Sequence, residues 1–125
     1  MLPGPLTPHG VPGARTDRER FDLFVLDAVS ALLERWPEEL RDVEFAVEDI
    51  PVVPADWTAP TVPLASLVPR QGSRAPRVVV FRRPLELRAE GLSDLAALVH
   101  AVVVEQVAEL LGREPEEVDP RYGEG

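Results

Sequence analysis

Glu105, Gln106 and Glu109 are the residues of this 125-residue chain whose types and spacing could do chemistry. They lie in LSDLAALVHAVVVEQVAELLG, residues 92–112, where apolar residues recur at helical spacing. Four residues apart on a helix, Glu105 and Glu109 present their carboxylates to one point above its flank, where they could hold a cation. Gln106 projects into the apolar stripe, between Val99, Val102 and Leu110, and a buried amide needs hydrogen-bond partners. Two plainer readings stand beside the cation site. The glutamates could be a solvated acidic flank, or they could be neutralised by Arg77, Arg82 or Arg83 from a neighbouring strand.

Other chemistry is poorly provided for. There is no cysteine, hence no disulfide, thiolate metal site or thiol nucleophile. Ser30 and Ser93 fall in predicted helices, Ser66 and Ser73 in or beside loops, and no serine sits in a GxSxG elbow. Of the two histidines, His9 lies in a proline- and glycine-rich start; His100, on the shoulder of the apolar stripe, reads as a packed or half-exposed residue. No glycine-rich phosphate loop is present. A net charge of −9 argues against nucleic-acid and anionic-membrane partners. No apolar run approaches the ~18 residues of a membrane span, and the N-terminus has no hydrophobic signal core. The expectation is a cytoplasmic protein.

The elements that must position these residues follow in order. Residues 1–15 are expected to be a disordered Pro/Gly-rich tail. Residues 16–36 predict a helix, with Thr16 or Asp17 as cap, Glu19 near the capping-box position, and Phe21, Phe24, Val25, Ala28, Val29, Leu32 and Leu33 on one face. Residues 43–50 alternate as a strand. Residues 51–61, with three prolines and Trp57, predict an irregular loop. VPLASLV, residues 62–68, contains Pro63 and reads as an edge strand or extended segment. RVVVFR, residues 77–82, predicts a strand buried on both faces. A helical turn follows Pro84. The last long helix is expected to be capped by Ser93 and stopped by Gly112 and Pro115, with one further turn at 115–118. The domain is expected to span residues 16–119, with a flexible tail over 120–125. The class is α+β: two main helices packed on a short mixed sheet.

From about Phe21 to Val118 the chain resembles the minimal-fold zincin-like metallopeptidase family of small bacterial proteins. Val47, Glu48, Asp49 and Pro51 match a Val-Glu-Asp-x-Pro motif. VPLASL from Val62 is similar to an Ile/Val-Pro-Leu segment, and PRVVVFRRPLE from Pro76 to a Pro-Asp-Arg-Ile-x-Ile-Tyr-Arg strand. The resemblance aligns residues 92–112 with a helix bearing His-Glu-x-x-His-His-Phe-Gly, followed by a carboxylate three residues past the glycine. In that pattern the histidines and the later carboxylate bind zinc and the glutamate activates the bound water.

Here Glu105 and Glu109 replace the two histidines, Gln106 replaces the base, and Pro115 stands at the third-ligand position. Starting the motif at His100 instead puts Ala101 and Val104 at the next key positions. The resemblance therefore implies a zincin-like domain with no expected catalytic residue and no zinc, whose role is to bind or scaffold an unknown protein or peptide. The rival reading is a hydrolase using Glu105 and Glu109 as carboxylate ligands to Mg²⁺ or Mn²⁺, completed from Glu114, Glu116 or Asp119. Whether RVVVFR runs beside the Glu105/Glu109 face, as the edge strand of a zincin cleft does, discriminates these readings from a plain small α+β domain.

Overall fold

The computed structural model describes residues 16–52 and 62–123. The expected N-terminal tail with His9, and most of the loop holding Trp57, lie outside them.

Helix α1, Asp17–Arg35, begins in a capping box. The Thr16 hydroxyl accepts the Glu19 amide at 3.0 Å, and the Glu19 carboxylate accepts the Thr16 amide at 2.8 Å. Its buried face is Phe21, Val25, Ala28, Val29 and Leu32, while Leu33 turns to solvent. Strands β1 (Glu44–Glu48), β2 (Ala65–Val68) and β3 (Arg77–Phe81) form one mixed sheet in the order β1-β3-β2. β1 runs parallel to β3, with Phe45 opposite Val78 and Val47 opposite Val80. β2 runs antiparallel to β3, with Ala65 opposite Val80 and Leu67 opposite Val78. Residues 78–81 are buried throughout, as a central strand requires. RVVVFR is thus the middle of the sheet, with β1 on one side and β2 on the other, and does not form an edge strand. Periodicity reports burial, but which neighbour lies beyond is set by pairing across the sequence.

Helix α2, Arg82–Arg88, follows β3 at once, with Pro84 in its first turn, where a missing amide costs no hydrogen bond. The motif residue Asp49 ties this corner together. Its carboxylate accepts Arg18 of α1 at 2.9 Å and Arg82 of α2 at 3.1 Å, and its carbonyl accepts the Arg83 amide. These arginines, Arg18 foremost, hold its carboxyl below the usual value.

Helix α3, Leu92–Leu111, supplies the centre of the core through Leu95, Val99, Val102, Val103, Val104, Val107 and Ala108. It packs on α1, α2, β2 and β3. Its N-cap is Gly91 at φ 102°, not Ser93, which lies inside the first turn. At the far end Gly112 adopts φ 68°, and the Arg113 amide reaches back to the Ala108 carbonyl at 3.0 Å, closing the helix in a left-handed cap. Helix α4, Pro115–Val118, then turns back and buries Val118 against the same core. The Trp36 indole and Arg35 guanidinium of the α1 end donate to the Val118 carbonyl at 2.9 and 3.3 Å. Beyond α4, Arg121 and Tyr122 are bonded to side chains of the fold. No helix among the described residues is long and apolar enough to cross a membrane.

Candidate functional site

The last two turns of α3 carry the residues singled out by sequence. Glu105 and Glu109 are exposed, and Gln106 is half-buried at the border of the core. The Gln106 amide has no hydrogen bond to another described residue; its partial exposure leaves solvent to satisfy it, where a fully buried amide would have needed a protein partner. Glu105 is not isolated. The Tyr122 hydroxyl donates to its carboxylate. That bond, helped by burial, pushes the Tyr122 phenol up to about 12, because ionising it would set a phenolate against a carboxylate.

The three arginines considered as neutralising partners bond elsewhere. Arg77 faces Glu44 at 3.9 Å, Arg82 is shared between Asp49 and Glu86, and Arg83 contributes its backbone amide to Asp49. Pro115 is the first residue of α4, where its ring serves helix geometry, and Glu114 and Glu117 form the capping box of that turn.

A second constellation lies across α3, built by the chain after α4. Asp119 is 1% exposed, the one buried charged residue among those described. Its carboxylate accepts the Arg121 amide at 2.9 Å and the Arg121 guanidinium at 3.1 Å, and lies 2.9 Å from Nε2 of His100. Burial alone would raise the Asp119 pKa; the hydrogen bonds from Arg121 and His100 outweigh it and hold the carboxyl far below the usual range. His100 and Arg121 line two adjoining depressions. One, of about 490 Å³, is floored by Ala96, Ala97 and Ala101; the other, of about 200 Å³, opens towards Phe24 and Asp27 of α1.

Sequence reasoning placed His100 on the shoulder of the stripe and Asp119 among possible extra ligands, without joining them. They are 19 residues apart, and only the Asp-Pro-Arg turn, in which an aspartate side chain can accept the amide two residues on, hinted at a fixed carboxylate.

The donors at the motif positions do not suit zinc. Glu105 already accepts a phenol, Gln106 is an amide, Pro115 has no donor atom, and Glu109 is left as one carboxylate. Among the described residues no group of three or more His, Cys, Asp or Glu side chains comes together to hold a metal. Nor can an amide accept a proton near neutral pH.

No curated protein matches the chain. Residues 26–124, most of its length and all of the sheet, α3 and α4, match the sequence pattern described as zincin-like metallopeptidase. On that match the chain belongs to the zincin-like metallopeptidase family.

Proposed function

We propose that this is a pseudo-metallopeptidase: a zincin-like domain that binds or scaffolds a protein or peptide partner without hydrolysing it. The observation that carries this reading is the donor set on α3. The places where the family pattern needs two imidazoles and a general base hold Glu105, Glu109 and Gln106, and Glu105 is occupied by Tyr122. A zincin reaction needs a metal to activate water and a base to take its proton, and these residues supply neither. The net charge of −9 disfavours nucleic acid and anionic lipid as partners, and a cleft of the family's kind suits a protein or peptide.

The test is peptide hydrolysis by the purified chain, alone and with added Zn²⁺, Mg²⁺ or Mn²⁺, beside the triple variant Glu105→His, Gln106→Glu, Glu109→His. No turnover by the natural chain under any condition is expected. Gain of zinc at α3 by the triple variant would add that the scaffold can still hold a metal once donors are returned. Metal-dependent cleavage by the natural chain, abolished by Glu105→Gln or Glu109→Gln, would overturn the reading in favour of a carboxylate-ligated hydrolase.

A further inference from the structure

At β1 the sheet ends in an edge whose backbone groups have no partner among the described residues. β1 and β3 are in parallel register, Glu44 opposite Arg77 and Glu48 opposite Phe81, and the Glu44 amide donates to the Pro76 carbonyl at 2.9 Å. Along a strand the backbone groups alternate in direction. Those of Glu44, Ala46 and Glu48 therefore face β3, and those of Phe45 and Val47 face away from it. No strand lies beyond β1 among the described residues, and no hydrogen bond uses the Phe45 or Val47 backbone. The side chains divide across the two faces. Phe45 and Val47 pack against the core, whereas Glu44, Ala46 and Glu48 lie on the opposite face, with both glutamates exposed.

We infer that the free edge of β1 takes up an extended segment of a partner protein, added antiparallel as a fourth strand, with basic residues opposite Glu44 and Glu48. The amides and carbonyls of Phe45 and Val47 fix its backbone, and the glutamates select its side chains. Antiparallel addition is the stronger sense. It makes Glu44, Ala46 and Glu48 the non-hydrogen-bonded positions, where opposed side chains stand closest. The partner's pattern is then basic, apolar, small, apolar, basic: its apolar residues continue the face of Phe45 and Val47, and its small residue meets Ala46. β3 already follows part of this pattern, since Arg77 stands opposite Glu44, though at 3.9 Å the contact is longer than a hydrogen bond. Glu48 stands opposite Phe81 and has no ion pair among the described residues. A second copy of the chain is a poor occupant. Antiparallel pairing of two β1 edges about Ala46 sets Glu44 of each copy against Glu48 of the other, and like charges directly opposite are destabilising. The inference rests on the proposed binding role and adds the partner's chemistry to it; the edge is distinct from the motif positions on α3.

The experiment is an NMR titration of the full chain with the peptide acetyl-Arg-Val-Ala-Val-Arg-amide, beside a counterpart with Glu in place of both Arg. Saturable shifts of the Phe45 and Val47 amides are expected, larger than that of Ala46, whose amide already faces β3. Glu44→Gln and Glu48→Gln should each weaken binding about two- to fivefold, and Glu44→Lys with Glu48→Lys about tenfold or more. N-methylation of the two peptide valines, whose amides face β1, should abolish binding, whereas N-methylation of the central alanine should not. General attraction to a chain of net charge −9 would not separate those two peptides. No saturable shift up to about 5 mM peptide, equal binding of the Glu peptide, or shifts confined to β2 overturns this inference and leaves the proposed function standing. Metal-dependent cleavage of the peptide, read by mass spectrometry in the same samples, overturns the proposed function whether or not the shifts are seen.

Discussion

Replacing Asp119 by asparagine tests whether the buried carboxylate holds the end of the domain in place. The side chain keeps its shape but loses its charge, and one of its oxygens becomes an N–H donor facing donors from Arg121 and His100. A hydrogen bond to a charged partner is worth about 1.5–3 kcal/mol, against about 1 kcal/mol for a neutral one. His100 is 23% exposed and should lose most of that difference, whereas Arg121, at 60%, recovers much of it from water. The sum is about 2 kcal/mol, or roughly 8 °C in Tm for a domain of this size. Circular-dichroism melts at several pH values are the assay. Because the folded-state pKa of Asp119 lies below its unfolded value of 3.8, the carboxylate's contribution is fully present above that value and is lost as pH falls towards the folded pKa. The gap between natural chain and variant should therefore be constant from neutral pH down to about 4 and narrow below it. An unchanged melt at pH 7, or a gap that widens on acidification, would refute the reasoning.

Two further perturbations have signs fixed by the structure. Tyr122 is the single tyrosine, so ultraviolet titration reads it directly; its midpoint should lie near 12, not the usual 10, and Glu105→Gln should return it towards 10. Since that pKa is raised on folding, the phenol's contribution is present below pH 10 and lost as pH rises through 12, so the natural chain should weaken over that window and the Tyr122→Phe variant less so. Gly112→Ala places a Cβ at φ 68° in the left-handed cap; open space surrounds it, so the cost is backbone strain of about 1 kcal/mol, measured as a lower denaturant midpoint with unchanged slope.

What could be read from sequence and what could not divide along the range of the interaction. The capping box at Thr16 and Glu19, the stop at Gly112 and the turn at Pro115 are local, and each is where its residues place it. The burial of residues 78–81 was legible because four apolar residues in a row leave no polar face. Their central position was not, since β3 finds β1 on one side and β2 on the other through pairings about 30 and 10 residues away, and loop length alone does not order strands. The reading of Ser93 as a cap failed because Gly91, at a φ that favours glycine, already ends the preceding extended segment and lets α3 start two residues sooner than a cap at Ser93 would. At the candidate site, helical spacing correctly grouped Glu105 with Glu109. It could not show Tyr122 closing on Glu105, nor Asp119 returning to His100, because both contacts are made by chain that comes back after two changes of direction.

The geometry of α3 also explains how such a fold can persist while its motif changes. The core is built from Val99, Val103, Val104, Val107 and Ala108, each almost wholly buried. Glu105 and Glu109 alternate with these residues but face solvent, so replacing imidazoles by carboxylates there removes no apolar area from the interior. The joint between the helix and the chain beyond it is made by contacts of the protein itself. Val118 is buried in the core, its carbonyl is held by Trp36 and Arg35, Asp119 is clamped between His100 and Arg121, and Tyr122 reaches Glu105. Stability and the motif positions are thus carried by different faces of one helix. A substitution such as Val103→Ala, which removes buried methyl groups, should cost about 1–3 kcal/mol, whereas Glu109→Ala should change the melt little.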